Sequence, residues 1–133
     1  MHIRKTNQSH AQSLLNFYTE NRNHLAPWEP ERNEHFYTLD FWQEQMRNRE
    51  AEMQDGRAVF FVAVDDVDNV MAVCNLTNIA RGVFQAGYMG YAVAQAHQGK
   101  GIMKNLCKHV VNYAFEELKL NRVMSNYLSH NER

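Results

Sequence analysis

The sequence predicts an α/β domain of the α+β kind, with a mixed sheet and the element order β-α-α-β-β-β-α-β. Three observations carry this. Apolar residues recur at three- and four-residue spacing near positions 11–18, 39–53 and 103–118, the signature of helices with one buried face. Between the second and third of these stretches lie short runs at 58–64, 70–75 and 84–93, rich in β-branched and aromatic residues. A loop, Gln98-Gly99-Lys100-Gly101-Ile102-Met103, follows the last run and opens the last helix.

In chain order, residues 2–4 read as a short strand, and Ala11, Leu14, Leu15 and Tyr18 form a helix capped by Asn7 or Ser9. A loop over 23–37 follows, holding Pro27, Trp28, Glu29, Pro30 and Glu31, and is long enough to line a site. Thr38 is the expected N-cap of the second helix, and Asp40 suits its positive end. Leu39, Trp42, Met46 and Met53 give that helix its apolar side, and Asp55-Gly56 stops it. Residues 58–64 read as a buried strand, Asp65, Asp66, Asp68 and Asn69 as a solvated turn, and 70–75 as the returning strand of a hairpin. The strand over 84–93 contains Gly87 and Gly90, which point to a bulge or to close approach of another group. In the third helix Met103, Leu106, Cys107, Val110, Ala114 and Leu118 face inward, and 122–128 reads as a final strand parallel to its sheet neighbour.

Composition narrows the function classes. A chain of 133 residues fits one domain over 1–133, and 14 Lys plus Arg against 15 Asp plus Glu argues against a broad nucleic-acid surface. The N-terminus lacks the apolar core of a signal peptide, and no run approaches the roughly 18 apolar residues of a membrane span, so a cytoplasmic protein is expected. Cys74 and Cys107 form no Cys-x-x-Cys pair and read as buried free thiols. The seven histidines never fall four apart or in a cluster, so no metal is expected.

The glycine loop has the makings of an anion cradle: successive N–H groups converge, and the helix behind adds about half a positive charge. It is no Walker loop, because Lys100 precedes Gly101 and Ile102 follows where Ser or Thr is needed. A dinucleotide fingerprint needs a third glycine where Lys104 stands. The remaining pattern is Gln98-x-x-Gly101-x-Met103, between a Gly-Tyr strand and a helix. It resembles the coenzyme A loop of the GCN5-related N-acetyltransferases (GNAT), with Met103 in place of the usual small residue. The ordered motifs Glu20-Asn21-Arg22, Leu25-x-Pro27-Trp28-Glu29-Pro30, Asn75-Leu76-Thr77-Asn78, Arg81-Gly82, Tyr88-Met89-Gly90-Tyr91, Asn126-Tyr127 and His130-Asn131 resemble the Rim-type ribosomal-protein alanine N-acetyltransferases.

That resemblance implies acetyl-CoA as cosubstrate and the N-terminal alanine of a ribosomal protein as acceptor. It implies that the backbone of Tyr91, Ala92 and Val93 pairs with the pantetheine arm and that Gln98, Gly99, Lys100, Gly101, Ile102 and Met103 wrap the pyrophosphate, with Asn131 joining the cofactor set. Lys100, ahead of Lys104, is expected to add charge. Many relatives carry a glutamate where this chain has Tyr88, so Glu29 in the proline-rich loop is the candidate substitute carboxylate, with Tyr88 the other catalytic candidate. Trp28 and Asn75 are the acceptor-side candidates. The alternatives are a solvated loop acid for Glu29, an apolar anchor for Trp28, and packing or hydrogen-bonding roles for Tyr88 and Asn75. Glu29, Glu31 and Glu34 together suggest attraction for a cationic N-terminus.

In relatives a further helix and β-hairpin follow the strand at 122–128, so the resemblance implies a domain shortened at its C-terminus. An exposed last strand would then favour self-association. Acetylation of a small amine such as a polyamine or antibiotic, and a non-catalytic CoA-binding or interaction module, are the competing functions.

Overall fold

The computed structural model describes residues 1–27 and 29–125; Trp28 and everything expected of 126–133, including Asn131 and the end of the last strand, lie outside the described residues. β1 (His2–Lys5), β2 (Val59–Val64), β3 (Val70–Ala80), β4 (Ala86–Val93) and β5 (Arg122–Ser125) form one sheet in sequential order. The first four strands are antiparallel neighbours, and β5 runs parallel to β4. The parallel pair requires a crossover, which α4 (Ile102–Glu116) supplies. α1 (Ala11–Glu20), the short α2 (Arg22–Leu25) and α3 (Leu39–Gln54) precede β2.

Every residue of β2 is buried, because helices cover both faces of the sheet. On one face Leu14 of α1 and Trp42 and Met46 of α3 pack on Val62, Val64, Val73 and Ala92. Tyr18 stacks on Trp42 with ring centroids 5.1 Å apart, and Phe36 meets both edge-on. On the other face Leu106, Val110 and Ala114 of α4 pack on Phe61, Cys74, Leu76 and Met89. The helical spacing of the sequence therefore marks the correct inward faces of α1 and α4. In α3 it holds for Trp42 and Met46 but fails at Leu39, which is exposed, and it misses Arg49, which is buried.

Local signals set the element ends. Asn7 accepts from Ser9 N at 2.8 Å and opens a 3₁₀ turn over Gln8–His10 that leads into α1. Thr38 Oγ1 accepts from Phe41 N at 3.2 Å, and Asp40 sits in the first turn of α3. Asp65 Oδ1 accepts from Val67 N and Asn69 N, holding its carboxyl below the usual carboxylate range and closing the β2–β3 turn.

Four sequence expectations are corrected. The stretch 23–37 is no continuous loop: α2 occupies its start, and a 3₁₀ turn over Glu34–Tyr37, capped by Asn33, occupies its end. β3 runs on to Ala80, since its far end still has β4 as a partner. β4 begins at Ala86 because Gln85 adopts φ +43°, leaving Val83 and Phe84 exposed in the turn. Of the two readings of the β4 glycines, close approach of another group holds at Gly87, while the bulge of the β3–β4 pair falls on β3 near Asn78 (φ +50°), where the register shifts between Thr77 and Ala80. Gly87 is there for packing, as a Cβ would sit 3.0 Å from Leu76 Cδ1.

Thr38→Ala removes the cap of α3 and should lower stability by about 1 kcal/mol, a drop of about 3–5 °C in Tm, measured by thermal denaturation.

Candidate active site

The site forms where β4 runs into α4. After β4, a 3₁₀ turn over Gln95–His97 returns the chain to Gln98. Gly99 and Gly101 then take φ +76° and +77°, the left-handed region that costs other residues about 1–2 kcal/mol. A Cβ at either glycine would meet nothing within 4 Å, so backbone conformation selects glycine there and the loop surface stays open. Gly101 is the N-cap of α4, no side chain caps that end, and its first turn holds no acidic residue. The helix therefore begins with N–H groups left for an incoming anion, reinforced by its dipole.

A cleft of about 300 Å³ opens onto this helix start, within the range of ligand sites. Tyr91, Ala92 and Val93 wall it on one side, and Gln98, Gly99, Gly101, Ile102 and Met103 on another. Among the described residues the β4–β5 ladder covers Ala86 to Met89, so these wall residues lie beyond it. Met103 is half-buried, and its sulfur accepts at 3.4 Å from the thiol of Cys107, one turn further along the helix. Cys74 is buried and Cys107 half-buried. Lys104, in the first turn of α4, lines the cleft, and Lys100 does not.

His24, Leu25 and His97 also line this cleft. No spacing in the sequence marks them, because α2 and the 3₁₀ turn that carry them are brought in by chain folding alone.

Leu25 and Glu29 belong to a second cavity as well, of about 430 Å³, under the proline-rich loop with Tyr18, Arg32 and Phe36. Glu29 thus stands between the two spaces, with its side chain one-quarter exposed and 3.5 Å from Arg32. Burial raises its carboxyl above the ordinary range, partly offset by Arg32. Burial likewise pushes the Tyr18 hydroxyl up to about 12, keeping it neutral. Two of the three loop glutamates, Glu29 and Glu34, are paired with arginines. Glu34 is bound by Arg22 at 2.7 Å, and Glu29 faces Arg32, whose guanidinium lies 4.3 Å from the Phe36 ring centre.

Asn75 and Tyr88 sit on the sheet face that carries α1 and α3, by strand alternation with Val73 and Ala92. Asn75 lies opposite Gly90, and its Oδ1 is buried without a hydrogen-bond partner. Tyr88 pairs with Thr77 and with Met124, outside the lining of both cavities. Among the described residues no cluster of His, Cys, Asp and Glu can hold a metal, and no helix is long and apolar enough to cross a membrane.

A family model described as an acetyltransferase (GNAT) domain matches residues 1–133. The chain belongs to the GNAT acetyltransferase family. This GNAT chain is 34% identical over 132 residues to the [ribosomal protein uS5]-alanine N-acetyltransferase of Escherichia coli (strain K12), covering 98% of itself and 68% of that relative. A crystal structure of the ribosomal-protein-S5-alanine acetyltransferase from Vibrio fischeri matches with a TM-score of 0.93 at 33% identity, over 98% of this chain and 72% of that one. Mycobacterium smegmatis RimJ, solved in complex with CoA-disulfide, shares the fold with a TM-score of 0.89 at 21% identity, over 98% and 63% of the two chains. The family and its Rim-type relatives make this GNAT chain an N-acetyltransferase.

Two outcomes follow from this geometry. Gly101→Val forces a branched residue to φ +77° and should cost about 1–2 kcal/mol, read as a lower Tm. Because Glu29 holds its proton more tightly folded than unfolded, its contribution to stability is present at low pH and lost as pH rises through and above the ordinary carboxylate range. Glu29→Gln should flatten that part of the stability-against-pH curve, measured by urea denaturation at a series of pH values.

Proposed function

We propose that this GNAT enzyme binds acetyl-CoA in the cleft at the start of α4 and acetylates the α-amine of a protein N-terminus, an alanine-first ribosomal protein being the acceptor. The observation that carries the proposal is the meeting of two cavities at Glu29 and Leu25, one ending on an uncapped helix N-terminus and the other on the proline-rich loop. That is the layout a two-substrate transfer needs. The likeness to uS5-alanine acetyltransferases supplies the acceptor class.

The open loop with its left-handed glycines fits a pyrophosphate, which the first N–H groups of α4 would hold, with Lys104 as the added charge. Extended backbone at Tyr91, Ala92 and Val93 offers amide groups to a pantetheine arm as a neighbouring strand would. Acetyl-CoA, when bound, supplies the thioester. The acceptor nitrogen bonds to the acetyl carbon as the C–S bond breaks, its electron pair leaving on sulfur. The proton lost by the amine matches the one the thiol gains.

An α-amino group has an ordinary pKa near 8, so it needs only a modest base. Glu29 is the carboxylate placed between the two spaces, and its raised pKa makes it a better proton acceptor than a solvated acid. Asn75 Oδ1, buried and unpaired on the sheet face, offers an acceptor for an amine or amide N–H.

Titration calorimetry with acetyl-CoA and thiol release with an alanine-first peptide test this directly. Binding, followed by peptide-dependent release, is expected; no heat at millimolar acetyl-CoA would sink the proposal, and faster release with spermidine than with the peptide would make it a small-amine enzyme. Glu29→Gln should lower kcat roughly 100-fold with acetyl-CoA affinity little changed.

A further inference from the structure

The face of the sheet under α3 carries a cation that has no carboxylate partner among the described residues. Arg49 of α3 is 8% exposed, turned inward among apolar residues. Its guanidinium carbon lies 4.4 Å from the ring centre of Phe60 and 5.4 Å from that of Trp42. Its Nε has no hydrogen-bond partner, and among the described residues no carboxylate reaches ion-pair distance of it. Tyr18 and Glu52 favour its charged form and Arg32 opposes it, while burial is the largest influence and works against the charge. Stacking on aromatic rings recovers only part of what burying a cation without a carboxylate partner costs.

Its position gives the charge a direction. Phe60 on β2, Asn75 on β3 and Gly90 on β4 are register partners, so they form one row across the sheet. With strands about 4.8 Å apart, Arg49 stands over the first of three strands and Gly90 about 10 Å along the row. Gly90 has no side chain and nothing within 4 Å of where a Cβ would be, so the row is open at the β4 end, next to the cleft wall at Tyr91. Between them Asn75 presents its unpaired Oδ1. The row thus reads hydrogen-bond acceptor, then donor, moving away from the cleft.

We infer that Arg49 is a specificity-determining residue that binds the backbone carbonyls of the acceptor's first residues, so that the enzyme takes peptides and not polyamines. This rests on the acetyl-transfer reading above. A protein N-terminus carries an amine donor followed within a few ångströms by peptide carbonyls, the complement of Asn75 Oδ1 followed by Arg49. A polyamine carries only donors and further positive charge, so Arg49 opposes it and nothing in it satisfies the guanidinium.

The test compares Arg49→Met and Arg49→Lys with the wild-type full chain, using an alanine-first tetrapeptide and propylamine as acceptors. Acetyl-CoA affinity by calorimetry and Tm are measured alongside. The wild type should prefer the peptide, and Arg49→Met should raise the peptide KM roughly 10- to 100-fold while the propylamine KM and acetyl-CoA affinity hold. Arg49→Lys should recover part of the loss, since it restores a donor and a charge. An unchanged peptide KM in Arg49→Met overturns the inference, as does a wild type indifferent between the two acceptors. Parallel losses with both acceptors, or loss of acetyl-CoA binding with a lower Tm in both variants, assign Arg49 a purely structural role. Failure of the wild type to bind acetyl-CoA instead removes the transfer reading and this inference with it.

Discussion

The constraint on which the molecule depends is a central strand with no polar face. β2 is buried along its whole length, so each side of the sheet must be covered by helix. α1 and α3 are laid down before β2 and take one side. The other is left to α4, the connection between β4 and β5. Because those two strands are parallel, the connection must start at the end of β4 and cross back over the sheet. The start of α4 is therefore fixed beside the last residues of β4. A helix N-terminus and an extended strand segment become two walls of one cleft through a requirement of core burial.

The third wall, which carries Glu29, has a different origin. Tyr18, Phe36 and Trp42 form an aromatic cluster at the junction of α1, α3 and the loop between them. That cluster fixes the proline-rich loop against the body, and Arg32 lies over Phe36 to complete it. Glu29 is carried into a half-buried position, where its carboxyl is harder to ionise. Its chemistry follows from where packing places the loop.

Much of the architecture is legible in the sequence, and where it is legible the reason is local. The periodicity of Leu106, Val110 and Ala114, the Thr38 cap and the Asp65 turn are each specified by residues a few positions apart. The left-handed glycines at 99 and 101 belong to the same class, since no distant contact demands them. Legibility fails at α2, at the far end of β3 and at the bulge near Asn78, where pairing with another strand or packing against another helix outweighs local propensity. Arg49 is the sharpest case. A charged residue in a polar helix reads as solvent-facing, yet it lies inside because the rings of Phe60 and Trp42 provide a surface for its guanidinium.

By itself the sequence determined the order of elements, the inward faces of α1 and α4, and a glycine loop at the start of a helix, because each depends on hydrogen bonds and side-chain spacing within one segment. Tertiary structure alone decided that His24, Leu25, Glu29 and Lys104 share a cleft with β4 and that Asn75 lies in a row with Phe60 and Gly90 beneath α3. It also decided that Glu29 and Glu34 of the loop are paired with arginines. Those are relations between segments far apart in the chain, fixed by burial and strand register, which no local pattern encodes.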